Sequence, residues 1–289
     1  MAQALRPFPH YCNPIFARNE NQGNSTYHSL QLKAEHRLSQ GLWVLVTYTW
    51  SKLITDADAN ENGGEQGVIS PFQPTRLKAL ALEDVPQTVN VVYHYQLPFG
   101  KGRQFLAKNG IASTILGDWT FNGIFRAQSG IPFVITSSTC NLPAQIGASC
   151  LPALLPGAHP FAHSLKGLDV FTQPYLNINA FQSATDFNFY TGSGPRVQSF
   201  RQPSYRDFDI GMQKDMQIID RLKFQLRGDA FNVFNNHYFI TVGVSNSSGY
   251  SNGMGGSAFT TDVSSPSFGM WNGTVTQQRN LQVSGRFVF

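Results

Sequence analysis

Two small groups of residues in this sequence have the types and spacing that could do chemistry. In the stretch ITDADANENGGEQG, Asp56, Asp58 and Asn60 place oxygen ligands at alternate positions, as at the start of a calcium-binding loop. An EF-hand loop requires Gly at its sixth position and an acid at its twelfth, where this sequence has Glu61 and Gly67. The stretch is therefore a weak metal candidate, and a solvated flexible loop is the favoured interpretation.

Cysteines form the second group. Cys140 and Cys150 bracket NLPAQIGAS, whereas Cys12 stands alone near the start. In an oxidising compartment, two cysteines at this spacing can close a small ring. The nearest histidines, His159 and His163, match no standard zinc-ligand spacing. We predict a disulfide between Cys140 and Cys150, and free thiols or a metal site are the less favoured alternatives.

Other signatures of an active site do not occur in the sequence. It has no Gly-rich phosphate loop, nucleophile elbow or paired-carboxylate spacing. His28, His36 and His94 fall in predicted strands, where a histidine is more often a lumen or interface residue than a catalyst. The net charge of +4 is small, and no basic cluster is interleaved with aromatics as in a nucleic-acid groove. We expect no enzyme activity, no cofactor and no nucleic-acid partner.

Amino-acid composition gives the first indication of the secondary structure that carries these residues. Aromatic and charged residues each make up 13% of the chain, and hydrophobic residues make up 41%. The charged fraction is about half that of a typical soluble domain. No apolar run approaches the roughly 20 residues of a membrane-spanning helix. This composition suits strands with one apolar and one polar face.

Alternation with period two then predicts seven strands. In LQLKAEHRL, at positions 30–38, apolar residues alternate with polar or charged ones. The turn signal Ser39-Gln40-Gly41 and the alternating segment after it complete a hairpin. Similar patterns occur in TVNVVYHYQL, DWTFNGIFRAQ, RDFDIGMQKDMQ, LKFQLRGDAFNVF and the final LQVSGRFVF. Each has about the 9 to 11 residues that a tilted strand needs to cross a bilayer.

Loop lengths indicate how these strands are arranged. Long loops rich in Gly, Ser, Asn and Pro are predicted at about 53–84, 129–204 and 236–277, and short or moderate connections fall between them. Outer-membrane barrels have short periplasmic turns and long extracellular loops. We therefore predict an all-β fold, an antiparallel up-and-down transmembrane β-barrel whose long loops are extracellular. A soluble β-sandwich is the less favoured alternative, since it has no reason to sort its loops by parity.

The alternation also assigns side chains to the two faces of the wall. Tyr48, Trp50 and Trp119 lie near strand ends, which fits the aromatic girdles of membrane barrels. Phe287 and Phe289 extend the apolar face of the last strand, and we assign them as a carboxy-terminal assembly signal. A set of charged residues is predicted to face the lumen: Lys33, Glu35, Arg37, Arg126, Lys223, Arg227 and Asp229.

Five stretches also resemble a known family. They are STYHSLQLKAEHRLSQGLWVLVTYTWSK, YQLPFGKGRQFL, ILGDWTFNGIFRAQSGIPF, RDFDIGMQKDMQIIDRLKFQLRGDAFNVFNNHYF and RNLQVSGRFVF. In this order they resemble the carboxy-terminal half of TonB-dependent outer-membrane receptors, in particular the Oar-like subgroup, whose full-length members carry an amino-terminal carboxypeptidase-regulatory-like domain. The resemblance implies a barrel of about 22 strands around an amino-terminal plug. It also implies TonB-powered uptake of a large solute across the outer membrane of a Gram-negative bacterium, with membrane lipid and the barrel assembly machinery as further partners.

The sequence lacks several parts that full-length members of this family have. It has no plug and no TonB-contacting segment, it supplies about seven or eight strands, and it begins without a secretion signal. A closed single-chain bacterial barrel needs an even number of strands. We therefore expect residues 1–25 to be a leading loop segment and residues 26–289 to be the carboxy-terminal part of a larger barrel, with more strands, a plug and a signal upstream of Met1. A structural or adhesive surface barrel that transports nothing is the alternative function.

Overall fold

The fold consists almost entirely of β-strands. The computed structural model describes residues 10, 23–39, 41–57, 74–100, 103–106, 110–137, 150–169, 172–183, 194–219, 222–237, 259–271 and 278–289. The strands are β1 (Ser25–Ser39), β2 (Leu42–Thr55), β3 (Ala79–Leu80), β4 (Gln87–Gln96), β5 (Trp119–Gln128), β6 (Tyr205–Ile219), β7 (Leu222–Phe231) and β8 (Asn280–Val288). One short helix, α1 (Ile111–Leu116), and two 3-10 turns, Pro74–Leu77 and Ile178–Ala180, lie in the connections.

The strands form one antiparallel meander. Its order is β1-β2-β4-β5-β6-β7-β8, and β3 is a short addition beside β2. Within the described residues, β1 pairs only with β2 and β8 pairs only with β7, so the sheet is open. The connections 40–41, 97–118 and 220–221 lie at one edge of the wall, the short rim, and 56–86, 129–204 and 232–279 lie at the other, the long rim. The predicted all-β, up-and-down architecture is confirmed.

Register sorts the side chains of this wall into two faces. Along one row of partners, Ala34, Val46, Val91, Phe125 and Phe208 follow one another across five strands, and all are apolar. Because the side-chain period of a strand is two, the next row must point to the opposite face.

That next row is polar throughout. Lys33 pairs with Thr47, Thr47 with Asn90, Asn90 with Arg126, and Arg126 with Asp207. The wall therefore has one apolar and one polar face, as the alternation in the sequence predicts.

Three strands are longer than the predicted 9 to 11 residues. β1 and β6 have 15 residues each and β2 has 14. The first ten residues of β6, 205–214, pair with β5, whereas residues 210–219 pair with β7. This stagger between neighbours is the geometry of strands that tilt around a barrel axis, and it explains the extra length.

Among the described residues, the buried hydrophobic cluster lies in the long connections. Nine buried residues form one cluster, which we call the cap: Phe133, Ile135, Tyr175, Leu176, Ala180, Phe181, Phe259, Phe268 and Trp271. The sequence analysis predicted irregular loops for these segments from their Gly, Ser, Asn and Pro content. The structure instead packs their aromatic residues against each other.

Helical structure is sparse. The helix α1 has six residues, too few to show the apolar period of 3.6 by which a sequence indicates a helix. In the part of the chain that the structure describes, no helix has the length and apolar character needed to span a membrane.

Candidate functional site

The polar face carries the charged residues that the sequence analysis assigned to a lumen. Lys33 Nζ lies 3.2 Å from Glu35 Oε2, and Arg227 Nε lies 2.8 Å from Asp229 Oδ2. Arg126 donates to the side-chain oxygen of Gln128 at 3.3 Å. The strand register places these residues and Lys223 on the polar face. Arg37 lies beside the register irregularity at the end of β1, and its Nε is 3.9 Å from Glu35 Oε1. Whether this face encloses a lumen stays a prediction.

Further charges on this face were missed from the sequence. Asp207 stands opposite Arg126 in the register, and Arg286 stands opposite Gln225. Asp215 accepts a hydrogen bond of 2.9 Å from the Gln225 amide. The alternation in RDFDIGMQKDMQ and LQVSGRFVF would have placed them there. Both signs of charge are mixed along the wall, so the face can hydrogen-bond water or a polar solute without a strong net potential.

A recess opens on the polar face at the long rim. Its volume is about 370 Å³. Its walls combine hydroxyl, amide and carboxylate groups with apolar groups in about equal measure, from β1, β2, β4 and the 56–86 connection: Tyr27, Gln31, Thr49, Ser51, Leu53, Glu83, Asp84, Val85 and Thr88. Such a surface offers donors and acceptors to a polar solute.

A buried ion pair forms the edge of this recess. Asp84 is 2% exposed, and its Oδ2 accepts from Arg201 Nη2 at 2.5 Å. Its Oδ1 accepts from the backbone N–H of Leu53 at 2.6 Å. Arg201 also donates to the carbonyls of Asp84 and Gly130, at 2.7 and 3.3 Å. One arginine thus joins the 56–86 connection, the segment after β5 and the segment before β6.

A second arginine attaches the same connections to the wall. Arg196 is 5% exposed, and it donates to the carbonyls of Leu77, Thr55 and Leu80 at 2.8, 3.0 and 3.3 Å. These bonds satisfy most of its guanidinium donors, which a buried charge requires. Together Arg196 and Arg201 hold the cap segments against the long rim.

Ring contacts hold the cap itself. The Tyr175 ring lies 4.9 Å from Phe161 and 5.2 Å from Trp271, and Trp271 lies 4.6 Å from Phe259. Burial in this apolar cluster raises the pKa of the Tyr175 hydroxyl above its ordinary value of 10.0. The cap therefore has a fixed shape of its own.

The two chemical groups suggested by the sequence are described only in part. Asp56 Oδ1 accepts the backbone N–H of Asn24, and Asp58 and Asn60 lie outside the described residues. The calcium candidate stays untested. Cys150 is disulfide-bonded, and Cys140 also lies outside the described residues, so their pairing stays a prediction.

Of the aromatic residues assigned to the apolar face, Trp50, Phe287 and Phe289 are exposed, whereas Tyr48 and Trp119 are half-buried. Trp50 is 57% exposed near the long rim, and Trp119 begins β5 at the short rim. Phe287 is 56% exposed and packs on Phe224 with 4.9 Å between ring centroids. Phe289 is 95% exposed and follows the last residue of β8. Large apolar groups that face outward along a sheet require a nonaqueous surrounding phase.

An antiparallel meander with one apolar and one polar face is the arrangement found in the walls of membrane β-barrels. The family described as "Outer membrane beta barrel domain" matches residues 1–282, and the chain belongs to that family. Its location is accordingly the outer membrane of a Gram-negative bacterium, with the apolar face against lipid. A search of curated proteins returned no match.

Proposed function

We propose that this chain forms wall and surface loops of a TonB-dependent outer-membrane receptor of the Oar-like subgroup, which takes up a large solute. The observation that carries the proposal is the recess on the polar face at the long rim, whose wall residue Asp84 is bonded to Arg201 of the cap segments. In this arrangement the recess and polar face contact solute, and the cap limits access to them. The proposal includes no catalytic step.

The open sheet supports a wide barrel. Seven long strands lie side by side in one meander without β8 meeting β1 within the described residues. Unpaired edge groups cost several kcal/mol each in hydrocarbon, so both edges need partners in the membrane. We propose that further strands complete the wall, and that TonB acts through a plug held inside it.

Orientation follows from the asymmetry of the rims. We propose that the long rim, with the cap and the recess, is extracellular and that the short rim is periplasmic. A protease added to intact cells tests this directly. It should cut in the long connections, around Gly63, Gly157 or Gly249, and should spare Gly41 and Asp220. Cleavage confined to the short turns would reverse the orientation.

Energy-coupled uptake is tested without knowing the solute. The bacterium that carries this protein is grown beside a strain lacking it and a strain lacking TonB, and the depletion of solutes from the medium is compared by mass spectrometry. The proposal predicts a solute that is depleted only when both proteins are present. If every solute is depleted equally in all three strains, transport by this barrel is refuted.

A surface barrel with an adhesive role is the second candidate. The ordered aromatic cap favours it, because a fixed outward shape can bind another surface as well as a solute. Loss of attachment or aggregation in the strain lacking the protein, with unchanged solute depletion, would identify this function instead.

A further inference from the structure

The short rim carries an apolar segment that neither transport nor adhesion uses. In α1 and beside it, large apolar side chains face outward: Ile111 is 82% exposed, Ile115 59% and Leu116 54%. Phe105 and Leu106 of the same connection are 50% and 39% exposed. Five exposed large apolar side chains in one connection are unusual for a turn that lies in water.

Two side chains of the apolar face fix where this helix lies. The Trp119 indole N–H donates to the Ile115 carbonyl at 3.0 Å. Lys214 Nζ donates to the carbonyls of Ile115 and Gly117, at 2.9 and 2.7 Å. Trp119 and Lys214 are register partners in the outward, apolar phase of β5 and β6. The end of α1 is therefore fastened on the lipid side of the wall.

Lys214 is a cation within an otherwise apolar region of the wall. Its residue is 6% exposed, and its Nζ lies 5.3 Å from the centre of the Trp119 ring. The last carbonyls of a helix have no partners within the helix and carry partial negative charge. Lys214 donates to the carbonyls of Ile115 and Gly117, and these bonds offset part of the cost of burying its ammonium group where α1 lies against the wall.

The geometry points to α1 as an interfacial membrane anchor, whose apolar side chains insert into the phospholipid at the short rim. Lipid is the phase that contacts α1, because the residues that hold this helix belong to the face of the wall that the family places against lipid. An apolar helix beside an aromatic ring and a lysine is the usual composition of a membrane interface. Only the choice of the periplasmic leaflet depends on the proposed orientation.

Photo-crosslinking in living cells tests the anchor in its native membrane. Ile115 is replaced by p-benzoylphenylalanine, and adducts are identified as phospholipid, protein or none. The matched control is Ile178, an isoleucine of similar exposure, 48%, in the 3-10 turn that also contains the cap residue Ala180. A second control is Met212, 42% exposed on the apolar face of β6. If α1 lies in lipid, the crosslinking side chain at position 115 should give phospholipid adducts as the one at 212 does, and these adducts should be lost at 178.

Each outcome decides the matter. Phospholipid adducts at positions 115 and 212 but not at 178 support the anchor. With adducts at 212 in place, a protein adduct or no adduct at 115 overturns it. Absence of phospholipid adducts at 212 would overturn the outward assignment of the apolar face and the anchor with it. None of these results depends on whether the barrel transports a solute, so failure of the proposed function is recognised separately by the uptake experiment.

Discussion

Replacing Arg201 by methionine should loosen the cap from the long rim. The substitution keeps much of the side-chain volume but removes the hydrogen bonds to the Asp84 carboxylate, the Asp84 carbonyl and the Gly130 carbonyl. It leaves the Asp84 carboxylate, whose side chain is 1% exposed, with the Leu53 amide as its remaining partner in this cluster. Removing one partner of a buried ion pair typically costs about 3 to 5 kcal/mol.

The lower end of that range applies here. The Arg201 side chain is 24% exposed, so solvent already screens part of the interaction. We expect a cost of about 3 kcal/mol, which raises the open population of the cap by roughly 100-fold. Hydrogen exchange reports this population, because protected amides exchange through local opening.

The measurement uses the backbone amides that hydrogen-bond the segment after β5 to the segment before β6. Phe133 N–H donates to the Phe200 carbonyl, and Gln198 and Gln202 N–H donate to the carbonyls of Phe133 and Ile131. Peptides covering these amides should exchange roughly 100-fold faster in Arg201→Met, followed by mass spectrometry on protein from outer membranes.

A matched control separates this pair from arginine loss in general. Arg227→Met removes a more solvent-screened Arg–Asp pair on the polar face, whose arginine side chain is 48% exposed and whose aspartate side chain is 13% exposed. Such a pair contributes about 0 to 1 kcal/mol, so cap exchange should change little. Equal exchange rates in Arg201→Met and Arg227→Met would refute the role of the buried pair.

Three further predictions concern other parts of the molecule. Gly123→Val should prevent assembly of the barrel, because a Cβ there would lie 2.6 Å from a tyrosine ring and 2.7 Å from a backbone carbonyl of β6. Gly228→Val is the control, since a Cβ there has nothing within 4 Å. On gels, the heat-modifiable band of the folded barrel should be lost in Gly123→Val and kept in Gly228→Val. Non-reducing peptide mapping should show Cys140 joined to Cys150, and free reaction of both with a thiol reagent would exclude the bridge. Burial raises the pKa of Tyr175, so its contribution to cap stability is present below pH 10 and is lost as the pH rises from there through the raised value. Near-UV circular dichroism should show the cap loosening in that range, with a smaller change in Tyr175→Phe; equal profiles would contradict the argument.

The sequence by itself determined the strands and their faces. In an extended chain, successive side chains point to opposite sides, so alternation between residues 30 and 38 is enough to separate Leu32 from Lys33. Short turns at Gly41 and after Ile219 then require antiparallel neighbours. The charged polar face and the meander could be predicted because each depends on local geometry.

Only the tertiary structure decided the cap, the stagger and the position of α1. Asp84 and Arg201 lie 117 positions apart, and nothing in the residues around either one specifies the other. The aromatic residues of the cap follow no period, because they pack from irregular backbone rather than from one face of a strand or helix. In the sequence Lys214 is an ordinary strand residue, and only the fold shows that it donates to the carbonyls of Ile115 and Gly117 in the 97–118 connection. Contacts of this kind depend on how distant segments meet, which local residue patterns do not encode.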